Sequence, residues 1–125
     1  MNKKLQIIII FLCLIQIKAN IRIFGLDKVT KKIDRKLLIM KALRTNSNHF
    51  ILLVINRFYK KGFFTCLECA VFIKKYFFTS SEIKFFIGIR NKNQEFESHA
   101  WVKKGDEYIF GFIKDINDYK EILTL

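Results

Sequence analysis

FFTCLECAVFIKKYFF (residues 63–78) and ESHAW (residues 97–101), joined by SEIKFFIGIRNK (residues 81–92), decide how this chain reads. The first segment opens as a helix. Thr65 is an N-cap residue whose hydroxyl can accept from a backbone N–H of the first turn, and Glu68 completes a capping-box pattern. Leu67, Ala70, Val71 and Tyr76 or Phe77 form an apolar stripe, while Lys74 and Lys75 suit the last turns. Cys66 then becomes the first helical residue, where free N–H groups and the positive helix end favour a thiolate. His99 stands where the next strand begins. A cysteine and a histidine so placed are the two central parts of a thiol nucleophile site. A free cysteine at this position would equally serve as a small core residue.

Length and composition bound what such a site can be embedded in. The 125 residues suffice for one modest core, so residues 1–125 read as a single domain. Hydrophobic residues make up 51% of the chain, which excludes disorder as its general state. Lys and Arg outnumber Asp and Glu by 23 to 11, a formal charge of +12 that invites nucleic acid or an anionic membrane surface. The lysines are spread along the chain rather than gathered in a stripe, and the aromatics fit core alternation, which leaves few for base stacking and makes nucleic acid the weaker partner. Three cysteines are too few for a disulfide framework, so the expected compartment is reducing and cytoplasmic, with membrane association left open.

Outward from the central stretch, residues 1–44 read as a basic, apolar, helical region. Residues 1–17 resemble a secretory signal in their Lys3-Lys4 start and apolar run, yet no small-x-small cleavage pattern follows. A membrane-surface segment and a buried first helix are the alternatives, and the segment is expected to be retained. From Leu26 onward apolar residues recur three to four apart among lysines and arginines, an amphipathic helix with Gly25 marking a bend. Residues 45–48 form a loop, followed by a helix over residues 49–61 with apolar residues on both faces, ending near Gly62. His49 in its first turn reads as structural. After the Cys66 helix, Ile83, Phe85, Ile87 and Ile89 alternate along a strand. Residues 91–97 read as a polar loop, and His99, Trp101 and Lys103 share one face of a second strand. Gly105-Asp106 turns into a third strand over residues 108–113, and the remainder reads as a loop and a short terminal piece. The class is α+β: N-terminal helices followed by a small antiparallel sheet.

TCLECA, FFIGIR, SHAWV and the tail DYKEILTL together resemble the stand-alone leader peptidase of lasso-peptide biosynthesis, a small transglutaminase-like cysteine protease. The resemblance covers residues 61–125, the expected catalytic core. It implies a transglutaminase-like, papain-like fold with Cys66 as nucleophile and His99 as base, and no metal or organic cofactor. It also implies a precursor-peptide substrate, a leader-binding partner protein and an ATP-dependent lasso cyclase acting on the freed core peptide. Three positions depart from the family pattern. Cys69 stands where an arginine is usual, Lys103 stands where a glutamate follows the valine, and Gly111 or Phe112 stands where an acidic side chain would orient the histidine. The orienting role passes in expectation to Asp118 or Asp115, with Glu97, an asparagine or a backbone carbonyl as alternatives. An inactive scaffold of the same pathway is the counter-reading.

Other classes draw on the same residues. Cys66 and Cys69 form a CxxC at a helix start, the thioredoxin-like arrangement, but only a short segment precedes it for the required strand. Cys66, Cys69 and His99 would supply three zinc ligands without a second ligand pair nearby. The basic segment over residues 21–44 could bind nucleic acid or anionic membrane.

Overall fold

The computed structural model describes residues 2–32, 37, 40–41, 43, 48–77 and 79–125. Three helices precede a four-stranded antiparallel sheet in the order β3-β2-β1-β4, the expected α+β arrangement. The helices are α1 (Lys3–Lys31), α2 (Asn48–Lys60) and α3 (Cys66–Tyr76). The strands are β1 (Ile83–Lys92), β2 (Glu95–Lys104), β3 (Glu107–Phe110) and β4 (Lys120–Thr124), with a 3-10 turn at Ile116–Asp118 before β4.

α1 starts at Asn2, whose side-chain oxygen accepts from the Leu5 N–H at 2.7 Å. It breaks at Gly25, whose φ of 81° lies in the left-handed region, so the expected bend is a true interruption of the helix. By length and composition α1 is also apolar enough to cross a membrane. One of its faces is core: Ile10, Cys13, Leu14 and Ile17 are fully buried. α2 buries Ile51, Val54 and Ile55, while Leu53 is exposed; the expectation of two buried faces gives way to an amphipathic helix. The amphipathic pattern over residues 33–36, 38–39, 42 and 44 and the loop at 45–47 lie outside the described residues.

The helices cover one face of the sheet. Phe85 lies opposite Val102 and Ile87 opposite Ala100, and this row joins Ala70, Val71, Phe72 and Ile73 of α3 in one apolar core. Side chains alternate across a strand, so His99 and Trp101 occupy the other face. There Phe86 stacks on Trp101 at 5.7 Å between ring centroids. Gly88, paired with His99, leaves room for the indole: a Cβ at Gly88 would come within 2.7 Å of Trp101 Cη2.

The sheet differs from the sequence reading in three places. Residues 91–97 are not a loop: β1 runs to Lys92, β2 begins at Glu95, and Asn93 and Gln94 alone make the turn. Both have left-handed φ (53° and 67°), as a two-residue hairpin requires. This end of the hairpin is exposed on both faces and carries no apolar alternation, which is why it read as a loop. β3 ends at Phe110 instead of residue 113, because Gly111 turns the chain with φ 84°. The tail supplies a fourth strand, β4, pairing with β1 on the edge opposite β3. Its lysine, glutamate and exposed Ile122 hid it from pattern reading.

The buried face of α1 makes a prediction. Leu14→Ala should lower the unfolding free energy by about 2–5 kcal/mol, as for other fully buried leucines. Urea unfolding of the purified chain measures it; unchanged stability would show that α1 is dispensable to the core.

Candidate functional site

Cys66 is the first residue of α3, and the chain enters the helix under tight control. Glu68 N–H donates to the Thr65 hydroxyl at 3.2 Å and Thr65 N–H donates to the Glu68 carboxylate at 2.9 Å, the reciprocal capping box. Just upstream, buried Phe64 meets Phe11 of α1 edge-on at 5.4 Å and Phe58 of α2 at 6.1 Å. All three helices therefore fix the position of the turn that presents Cys66, which is half-buried.

His99 lies in the middle of β2, not at its start, and is buried. Its Nε2 lies 2.6 Å from the Gly111 carbonyl oxygen. A carbonyl can only accept, so Nε2 carries the proton and Nδ1 is the ring atom left for another partner. Gly111 can deliver this oxygen because it is a glycine. Its φ is 84°, and a Cβ there would sit 2.7 Å from the Ala100 carbonyl oxygen. Trp101 flanks the imidazole on one side (6.1 Å) and Tyr119 on another (5.7 Å).

Cys66 and His99 come together beyond the end of β3. β3 pairs with β2 only from Val102 to Lys104, which leaves the edge of β2 at Ala100 open to α3. Burial by itself would push the Cys66 thiol up. A hydrogen bond with the His99 side chain, the Ala100 backbone N–H, the imidazole charge and the Leu67 N–H outweigh it, and the thiol lies below its ordinary value. His99 moves the opposite way. The hydrogen bond with Cys66 raises it, burial opposes, and the Gly111 carbonyl and the charges of Cys66 and Asp115 add to the rise. Both shifts favour the ion pair of thiolate and imidazolium.

The carboxylates expected near the imidazole are engaged elsewhere. Arg90 bonds the Glu97 carboxylate through Nε (2.8 Å) and Nη2 (2.6 Å) and Asp115 through Nη1, with Asp118 at 4.0 Å. Its guanidinium also lies over the Tyr119 ring, 4.7 Å from the centroid. This holds the Asp115 carboxyl below its usual range, the Arg90 hydrogen bond being the main cause. Asp115 thus reaches His99 by its field alone, and the hydrogen bond goes to Gly111.

The other cysteines and His49 stand apart from this pair. Cys69 is fully buried one turn into α3 and its thiol is pushed up to about 12, by burial first and then by the charges of Glu68 and Cys66. Cys13 is likewise raised to about 12 by burial. All three cysteines are free, and His49 is exposed at the start of α2. Among the described residues no three His, Cys, Asp or Glu side chains converge to hold a metal ion. Sequence reasoning missed Arg90 and Tyr59. Tyr59 meets Phe110 edge-on at 5.3 Å and lines, with Lys60, His99, Gly111 and Phe112, a cavity of about 270 Å³ beside the imidazole. Glu97 lies seven residues beyond Arg90 and Asp115 25 beyond it, and nothing in the sequence marks these side chains as partners; they meet only in the fold.

Two outcomes follow from this geometry. Cys66 should be the thiol alkylated by iodoacetamide, at a pH below the ordinary thiol value of 9.0. In His99→Ala the hydrogen bond and charge are gone while burial remains, so the midpoint of the rate profile should move to higher pH. Gly111→Ala should destabilise the fold by about 1–3 kcal/mol through its left-handed φ. It should also move the same midpoint upward, because His99 loses its carbonyl partner; a stability loss with an unmoved midpoint would detach Gly111 from the site.

A family model described as the Transglutaminase-like superfamily matches residues 13–124. No curated protein and no solved structure matches the chain. The matched span takes in α1 from Cys13 onward, the Cys66 turn, the His99 strand and β4. The chain therefore belongs to the transglutaminase-like superfamily, in the family of lasso-peptide B2 proteins, and has its role in lasso-peptide maturation.

Proposed function

We propose that this chain is a cysteine peptidase that removes the leader from a ribosomally synthesised precursor peptide. The observation that carries the reading is the placement of Cys66 in the first turn of α3 beside His99, whose Nε2 is held by the Gly111 carbonyl at 2.6 Å next to a cavity. The directions of the shifts, down for the thiol and up for the imidazole, agree with acid and base roles for the pair.

In the proposed reaction the proton of the Cys66 thiol resides on His99 Nδ1. The thiolate attacks the carbonyl carbon at the end of the leader and forms a tetrahedral oxyanion. The Cys66 backbone N–H, free at the start of α3, is the first donor to that oxygen. His99 passes its proton to the departing amine, and a thioester remains on Cys66. Water then adds to the thioester, giving a proton to His99, and Cys66 leaves as thiolate with the leader acid released. These steps use the chain's own groups and water. The cavity beside His99, with Tyr59, Phe110 and Phe112 in its wall, suits an apolar or flat part of the substrate. Selection of the leader falls to a separate leader-binding protein. The ATP-dependent cyclase takes the freed core peptide.

A second reading rests on Gly111. A carbonyl dipole gives an imidazolium less support than a carboxylate does, because charge-assisted hydrogen bonds are about twice as strong as neutral ones. A chain that keeps the fold and serves as a scaffold would tolerate that loss.

Cleavage of the precursor in the presence of the leader-binding protein separates the two. Cys66→Ala and His99→Ala should each lower turnover by roughly a thousandfold or more, since members of a catalytic unit act together. Asp115→Asn should lower it severalfold by removing a charge that supports the imidazolium, and Asp118→Asn, more exposed and farther from Arg90, should change it less. Equal cleavage by wild type and Cys66→Ala would end the peptidase reading, and no cleavage by wild type with both components present would favour the scaffold.

A further inference from the structure

α1 has two apolar faces, and the core uses one. Leu5, Ile8, Leu12 and Ile15 recur three and four residues apart along the other face, so they form a row. All are exposed, Ile8 by 54% and Leu12 by 45%. Ile23 extends the exposed apolar row towards the break at Gly25. Aliphatic residues exposed singly need no explanation, but a continuous row along a helix marks a surface that something covers.

The charges beside the row narrow what covers it. No acidic residue occurs in α1 before Asp27. Lys4, Lys18 and Arg22 fall along one margin of the row by helical spacing. Lys18, whose Nζ lies 5.9 Å from the centroid of the Phe64 ring, and Arg22 line a shallow groove of about 240 Å³ with Ile15, Ala19 and Ile23. A groove with an apolar floor and two cations at its margin matches an acyl chain beneath a phosphate.

We propose that the outer face of α1 docks this protein on an anionic phospholipid surface. The helix lies in the interfacial plane: Leu5, Ile8, Leu12 and Ile15 enter the acyl boundary, while Lys4, Lys18 and Arg22 meet lipid phosphates. Charge complementarity selects this occupant. A second copy would bring its own +12 charge and the same basic margin to the contact, whereas an anionic bilayer supplies both apolar depth and negative charge. The helix lies on the bilayer and does not cross it, because crossing would withdraw the fully buried Ile10, Cys13, Leu14 and Ile17 from the core. This inference rests on α1 alone and holds whatever chemistry Cys66 performs.

Flotation of the 125-residue chain with vesicles tests it, comparing phosphatidylcholine alone with a mixture containing about one-third phosphatidylglycerol. Wild type should bind the anionic vesicles only, less as salt rises, and a carbonate wash should release it. Ile8→Gln/Leu12→Gln/Ile15→Gln should weaken binding by about tenfold or more while leaving the urea midpoint in place. Lys18→Gln/Arg22→Gln, which leaves every apolar residue untouched, should weaken it by roughly 20-fold. Cys13 should stay unreactive to thiol reagents on the vesicles as in solution. The proposal is overturned if the wild type ignores anionic vesicles, if either variant binds as tightly as wild type, or if the bound chain resists carbonate. A dimer dissolved by the same apolar substitutions, or vesicle binding seen only with the leader-binding protein present, would equally reassign the face to a protein contact.

Discussion

The imidazole of His99 is held at Nε2 and has the Cys66 thiol as its neighbour, and the placement of the surrounding elements serves that constraint. Nε2 needs an acceptor, and Gly111 provides its carbonyl at 2.6 Å. This is possible only because β3 stops at Phe110 and the chain turns sharply with a left-handed φ at a residue lacking Cβ. The early stop of β3 has a second effect. It bares the β2 edge at Ala100, whose N–H reaches the Cys66 sulfur instead of a strand partner. One short strand thus supplies the acceptor for one side of the site and uncovers the donor for the other.

Arg90 explains why carboxylates close to the site do not hold the histidine. A guanidinium offers five donors in a fixed fork, and Glu97 and Asp115 occupy them from two different segments. The pairing ties β1, β2 and the turn before β4 together and keeps Tyr119 against the imidazole. It also spends the charge of Asp115 mainly on Arg90. The chief support for a protonated His99 is then the hydrogen bond with Cys66 itself, the largest contribution to its rise. A site so arranged depends on its thiolate more heavily than one with a carboxylate behind the histidine.

What was legible in the sequence were features carried by neighbours in the chain. The capping box at Thr65 and Glu68, the helix start at Cys66, the bend at Gly25 and the alternation of β1 all depend on residues within a few positions of one another, and the structure has each of them. The errors fall where tertiary pairing decides. β4 has too little apolar alternation to announce itself and exists because β1 has an open edge. The tip of the β1–β2 hairpin is exposed on both sides, Phe96 included, and is a strand only by hydrogen bonding. At the site, the sequence left open whether a side chain or a carbonyl orients His99. A backbone carbonyl leaves no residue signature except the glycine that frees it to point there, and in sequence Gly111 marks only a place where an acid is missing.

The three cysteines show how the fold makes one thiol different from the others. Burial penalises the charged form of all three, and for Cys13 and Cys69 nothing opposes it, so both rise to about 12. Cys66 feels the same penalty as its largest influence, yet ends below its ordinary value. The difference lies in what faces the sulfur: an imidazole, the Ala100 amide from an open strand edge, and the Leu67 amide in the first turn of α3. Cys69, one turn further along the same helix, has its amide neighbours committed to the helix, and Cys69 N–H itself bonds Thr65 O at 3.1 Å. Placing a sulfur at the first helical position is therefore effective because the amides there are uncommitted, and it needs the strand edge and the imidazole to outweigh burial. Shielding from water and stabilisation of a thiolate, opposed at the other two positions, are reconciled at Cys66 by donors that the end of β3 and the start of α3 leave free.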